Sequence, residues 1–321
     1  MIDELTDRVI AGERISKQDA LEISSEQYSV EDLLSGAERI KETFCGKGVY
    51  RCAIVNAKSG ACSEDCAFCA QSVHHNTEAE TYPFISYDEL LRQTIEAKRN
   101  GVNCLGVVTS GPVPDNDEIE MVAQLCRDCA DRGITGLGAS LGIITKKDLI
   151  YLKESGLAHY NHNLETSERF YPSICTTHSW KERYDTVKAA VDTGLEVCSG
   201  GIFGLGESFE DRVDMAFALR ELKVQNIPLN FLSPIKGTPM ESTTPLSQTE
   251  ALRIIAVYRF IFPDGILRIC GGRQERLASE GEKIFKAGAT GILTGDYLTT
   301  KGSSFESDYE MIKGAGLFPK E

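Results

Sequence analysis

Apolar residues recur along this chain in two alternating rhythms. Short runs rich in Val, Ile, Leu and Cys fall at Cys52–Asn56, Asn103–Thr109, Thr135–Ala139, Leu157–His162, Glu196–Gly201, Leu229–Ser233, Leu267–Cys270 and Gly291–Thr294, and each reads as a strand. Between them lie longer stretches with apolar positions three and four residues apart, the spacing of amphipathic helices, as at Asp117–Arg132. Hydroxyl residues followed three places on by an acidic one, Ser86…Glu89, Ser179…Glu182 and Ser247…Glu250, predict capping boxes at helix starts. Gly101, Gly133, Gly156, Gly194 and Gly288 predict helix ends. Residues 1–44 show helical spacing only, at Ile15–Leu21 and Asp32–Ile40, and predict an N-terminal helical extension that caps a domain spanning 45–321. Eight strand–helix units in roughly 250 residues predict an α/β fold, a TIM-type (β/α)8 barrel whose chemistry sits at the C-terminal ends of its parallel strands. An open, doubly wound sheet is the alternative.

Composition narrows the possible functions. The 321 residues are 41% hydrophobic, which excludes a disordered chain, and 34 basic against 48 acidic side chains give a formal charge of −14. Without a basic stripe, neither nucleic acid nor an anionic membrane is an expected partner, and no apolar run is long enough to span a bilayer. The acidic start, Met1 to Arg8, lacks the apolar stretch of a secretion signal, so a cytoplasmic protein is expected. Thiols stay reduced there, and eleven cysteines then point to metal or redox chemistry rather than to disulfides.

Three of those cysteines fall within eight residues, Cys62-Ser-Glu-Asp-Cys66-Ala-Phe-Cys69, in the loop after the first strand. Three thiolates so close can hold three irons of a four-iron cube, whereas zinc would need a fourth ligand, for which only His74 and His75 stand near. Small buried cysteines have no reason to gather in a polar Ser-Glu-Asp loop. The C-x3-C-x2-C spacing, with an aromatic before the last cysteine, resembles the radical S-adenosylmethionine (SAM) family. The resemblance implies a [4Fe–4S] cluster on Cys62, Cys66 and Cys69 whose fourth iron is chelated by SAM, with Phe68 beside the adenine.

Within that family the chain closely resembles the biotin synthases, and the resemblance runs from about Lys58 to the C-terminus. It is carried by Tyr160-Asn-His-Asn-Leu-Glu-Thr-Ser167, Val197-Cys-Ser-Gly-Gly-Ile-Phe-Gly-Leu-Gly-Glu207, Asn230-Phe-Leu232 and Lys236-Gly-Thr-Pro239. The resemblance implies conversion of dethiobiotin to biotin by sulfur insertion. It also implies Gly200, Gly201, Gly204 and Gly206 bordering SAM, Glu165 (where the pattern more often has Asp) on the ribose, and Asn163 and Asn230 on the substrate's ureido group. A flavodoxin- or ferredoxin-type electron donor and a homodimer are implied in the same way. No residue is assigned as a catalytic base, and at His178 the pattern usually has Arg.

The family's sulfur donor is an inner [2Fe–2S] cluster on three Cys and one Arg. Cys104 and Cys198 match two of those cysteines and Arg268 the arginine, but Gly138 stands where the third should be. Cys270 lies two residues beyond Arg268, on the same face of its strand, so three thiols are kept with one displaced. Three readings follow: a [2Fe–2S] cluster on Cys104, Cys198, Cys270 and Arg268; a four-iron auxiliary cluster on the three Cys; or buried thiols holding no cluster. The four-iron form is favoured, since three thiolates leave one iron open to carry sulfide. Cys126-x2-Cys129 reads as helix core, and Cys45, Cys52 and Cys175 as isolated and inert. The rivals are another radical SAM barrel, of the hydrogenase-maturation or methylornithine type, without sulfur insertion, and a non-enzymatic iron–sulfur or zinc protein.

Overall fold

The computed structural model describes residues 1–277, 279 and 281–320. Nine strands form one closed, all-parallel wall: β1 (Gly48–Lys58), β2 (Cys104–Thr109), β3 (Leu137–Ser140), β4 (His159–Asn161), β5 (Glu196–Cys198), β6 (Gly201–Phe203), β7 (Asn226–Phe231), β8 (Ile266–Ile269) and β9 (Gly291–Leu293). Closure comes from β9 pairing back onto β1, with Tyr50 opposite Gly291 and Cys52 opposite Leu293. β5 and β6 both pair with β7 and make one stave broken at Ser199-Gly200, so the wall has the eight staves of a (β/α)8 barrel. The break has a steric cause: a Cβ at Gly200 would lie 1.9 Å from the Pro228 carbonyl oxygen, so only glycine lets the two backbones approach. A short β10 (Phe318–Pro319) pairs with the first residues of β1.

β7 begins three residues before the predicted strand, because Pro228 inside it argues against a strand when read locally. Of the three predicted capping boxes, only Ser179–Glu182 closes in both directions. Ser86 and Ser247 cap with the hydroxyl alone, and Glu250 turns instead to Arg212, 2.8 Å away.

Helices α1 (Ile2–Ile10), α2 (Lys17–Ser24) and α3 (Val30–Phe44) fill the first 44 residues and pack on α8 (Phe209–Glu221) and α9 (Gln248–Ile261). Long cations tie the two parts: Arg253 donates to the Ser25 and Tyr28 carbonyls, and Lys41 to that of Phe285. Arg259 of α9 is 0% exposed and donates to the carbonyls of Gly288, Phe262, Pro263 and Gly265. Arg259→Met keeps the volume but strands those acceptors in a dry interior. Denaturant unfolding of the metal-free protein should show a loss of about 3–5 kcal/mol, and a loss below about 1 kcal/mol would refute that role for Arg259. Among the described residues, no helix is long and apolar enough to cross a membrane.

Candidate active site

The loop after β1 is built to hold its cysteines in place. Cys62 N–H donates to the Gln71 carbonyl and Val73 N–H to that of Cys62, which folds residues 62–73 into a closed turn. The Gln71 side chain braces the turn from inside by accepting from Ser59 and from the Gly60 amide. His74 and His75 are turned to the carbonyls of Ser63 and Cys66, so they brace the loop rather than complete a zinc site. Asp65 accepts from the Thr176 hydroxyl and from the Thr176 and Thr177 amides. Burial would raise its pKa, but these bonds outweigh that and hold the carboxyl well below its usual range. Burial raises the Cys69 thiol, with the sulfur of Cys62 and the carboxylate of Glu165 adding to it and Arg183 opposing.

Below this loop a cavity of about 360 Å³ runs into the barrel. Phe68 and Cys69 line it near the loop, Cys198, Arg268 and Cys270 line it deeper in, and Asn161, Asn163, Glu165 and Asn230 also face it. A larger groove of about 960 Å³ lies on the outer wall between β1 and α4 (Tyr87–Arg99) and is lined by no cysteine. Asn163 Oδ1 accepts from the Gly200 amide, and Asn230 bridges the Gly271 amide and the Gly201 carbonyl. Each amide is thereby fixed by the backbone while keeping further donor or acceptor capacity for a ligand. Glu165 is held at φ +67°, a costly conformation for a side chain of its size, with Oε2 buried and unpartnered and Arg183 3.8 Å from Oε1. Burial raises its pKa, against the pull of Arg183.

The four predicted cofactor glycines have other neighbours. A Cβ at Gly201 would lie 2.3 Å from the Glu165 carbonyl oxygen, as the one at Gly200 would meet Pro228. Gly204 and Gly206 take φ of +94° and +100° in a turn whose amides are capped by the Glu207 carboxylate. None of the four lines the cavity; Ile202, beside them, does.

Arg268 gathers the inner thiols. Burial works against its charge, yet the sulfurs of Cys52, Cys198, Cys104 and Cys270 all act on it and raise its pKa. Its Nη1 lies 3.4 Å from the Cys198 sulfur, and burial pushes Cys270 up to about 12. Gly138 pairs with Gly106 across β2 and β3, and the Asn161 amide leans over both bare backbones, 3.2 Å from a Cβ at 106 and 3.7 Å from one at 138. At Gly138, where the resemblance leads one to expect a thiol, the space a side chain would enter is already taken by His159, 3.3 Å from a Cβ, and by the Asn161 amide.

Two cysteines that sequence reading set aside are not isolated. Cys52 is the register partner of Cys104, and the interaction of the two thiols lowers the pKa of Cys52 and raises that of Cys104. Aligning the first two predicted strands in parallel would have revealed this pair. Cys175 lies 3.7 Å from the Cys66 sulfur and 3.4 Å from His178 Nδ1, and His178 also bonds Glu64 and Tyr171. The donor atoms of Cys66, Cys175 and His178 lie within 4.8 Å of one another. More than one hundred residues separate Cys66 from the other two, and no local pattern could have joined them. Cys126 and Cys129 are buried in the core, as expected of a helix face.

Likeness to known proteins extends over nearly the whole chain. Residues 57–219 match the family model of the Radical SAM superfamily, and residues 228–318 that of the Biotin and Thiamin Synthesis associated domain. The biotin synthase of Citrifermentans bemidjiense is 43% identical over 318 residues, covering 99% of this chain and 97% of its own length. That of Geotalea uraniireducens is 44% identical over 321 residues, covering 98% and 97%. Among solved structures, a methylornithine synthase superposes with a TM-score of 0.85 at 19% identity, over 99% of this chain and 97% of that one. A maturase of the [FeFe]-hydrogenase gives 0.86 at 17%, over 99% and 75%. At such identities the likeness is one of fold.

Proposed function

The chain belongs to the biotin synthase family of radical SAM enzymes, and from that premise we propose that it inserts sulfur into dethiobiotin to form biotin, drawing the sulfur from a second iron–sulfur site inside the barrel. The observation that carries the reading is a single cavity with Phe68 and Cys69 of the cluster loop at one part of its wall, Cys198, Arg268 and Cys270 at another, and orienting amides on its sides. A radical SAM barrel without sulfur insertion has no use for the inner thiols, and an iron–sulfur carrier or zinc protein none for the amide-lined cavity.

Both sites suit the groups they would hold. Cys62, Cys66 and Cys69 give three thiols on one short loop, the donor set for three irons of a four-iron cluster. Inside the barrel, the Arg268 Nε and the Asn161 Oδ1 are buried without partners, and both residues line the same cavity as Cys198 and Cys270. Orphaned polar groups around an open space call for a polar occupant. When bound, the loop cluster and SAM supply a deoxyadenosyl radical able to take hydrogen from an unactivated carbon, and the inner cluster supplies the sulfur.

The protein's share is positioning and exclusion of water. Asn163 and Asn230 orient the ureido group through the capacity their backbone bonds leave free. Glu165, with one free oxygen, accepts from the ribose hydroxyls, and Phe68 covers the adenine. Gly200 and Gly201 let β5, β6 and β7 come close enough to set Asn163 and Glu165 in place, and with Gly204 and Gly206 in the turn that follows they border SAM. Cys104, Cys198 and Cys270 hold a four-iron cluster, with Arg268 against it as a charge partner. An electron donor of the flavodoxin or ferredoxin type and a homodimeric assembly complete the reading, both resting on family likeness.

The test is an anaerobic reaction of reconstituted protein with dethiobiotin, SAM and a strong reductant, followed by mass spectrometry. Two carbons each give up a hydrogen, so about two deoxyadenosines are expected per biotin. Deoxyadenosine without biotin would discard this substrate.

A further inference from the structure

Cys52 is 2% exposed in β1 and stands two residues before Ile54, whose side chain lines the cavity, so strand alternation turns both inward. Its partner in register is Cys104. On the other side of β2, the β3 backbone at Gly138 offers no side chain at all. β2 thus has a thiol neighbour on one side only, and it is on β1.

Packing alone does not account for this thiol. It belongs to a group of four, with Cys104, Cys198 and Cys270, whose sulfurs all act on Arg268. That arginine is 5% exposed, and its Nε is buried and unpartnered. A guanidinium N–H left unbonded in a dry interior is costly, and its presence among four sulfurs points to an anionic acceptor bound between them.

We propose that Cys52 is the fourth thiolate donor of the inner cluster, standing in from β1 for the cysteine that β3 lacks at Gly138. The inference rests on the inner-cluster reading above. Cys104, Cys198 and Cys270 leave one iron of a four-iron cluster without a protein ligand, and Cys52 is the thiol for that iron whenever no added sulfide holds it. In the exchange, hydrogen sulfide leaves a proton on the Cys52 sulfur as it takes the iron, and no electrons move.

The test uses the full chain with Cys62, Cys66 and Cys69 all changed to Ala, so that only the inner site binds iron. After anaerobic reconstitution without excess sulfide, this background should hold about four irons. Adding Cys52→Ala should lower that to about three, with a changed paramagnetic resonance spectrum, and excess sulfide should restore about four. Cys52→Ser, which keeps the side-chain shape, should fold normally by circular dichroism and shift the Mössbauer parameters of one iron. An unchanged iron count and unchanged spectra in both Cys52 variants would overturn the proposal while leaving the inner cluster standing. A background variant that binds no iron would overturn the inner cluster itself, and Cys52's role with it.

Discussion

Cys270→Ala removes biotin formation while SAM cleavage continues. Biotin yield should fall on the order of 100-fold or more, because loss of even a supporting hydrogen bond can cost a metal site that much and loss of a ligand costs at least as much. Cys270 lies in the barrel interior beside Arg268, away from the loop that carries Cys62, Cys66 and Cys69. Deoxyadenosine should therefore still form, and the iron content should fall below the roughly eight per chain of the intact protein. The two products and the iron count, measured on one sample, check this. Normal biotin yield from the variant would remove Cys270 from the sulfur-donating site.

Cys66→Ala gives the complementary loss. Cys66 is the buried member of the loop trio, fixed by the bond its carbonyl accepts from Cys69 and by the one the neighbouring Ala67 amide donates to Ile174. Without its thiol, deoxyadenosine formation should fall to the uncatalysed background with or without dethiobiotin, while the inner iron, about four per chain, remains. Substantial deoxyadenosine from this variant would contradict the assignment of the loop, and loss of all iron would contradict the independence of the two sites.

Much of this architecture is legible in the sequence, because barrel periodicity is local. The alternation of buried strands with amphipathic helices gave the right fold and all eight staves, and Asp117–Arg132 anticipated the helix at Asn116–Asp131 almost to the residue. The cluster loop was equally plain, since its three thiols lie within one turn of chain. What the sequence hides is set by approach between distant segments. The break at Ser199-Gly200 exists because Pro228 of a later strand comes within reach of the backbone there. Glu250 leaves its capping role because Arg212, on another helix, competes for it. Cys52 and Cys175 looked solitary because their partners lie 52 and 109 residues away along the chain. A motif alone also does not say why its glycines are glycines: at Gly200 and Gly201 the reason is the approach of the Pro228 and Glu165 backbones, which only the fold reveals.

Under the proposed inner cluster, the departures at 138 and 270 are two ends of one rearrangement. On the proposed reading, the thiol expected at Gly138 of β3, where the Asn161 amide leans over bare glycines, is made good by Cys270 and by Cys52 of β1, around Arg268. The central claim is that this inner site gives up the sulfur found in the product. Its most direct test is to rebuild both clusters with heavy-isotope sulfide, remove free sulfide, and run a single turnover with unlabelled dethiobiotin and SAM. The account predicts biotin carrying the heavy sulfur in the wild-type protein. Unlabelled biotin formed at normal yield would contradict it, because the sulfur would then come from outside the barrel.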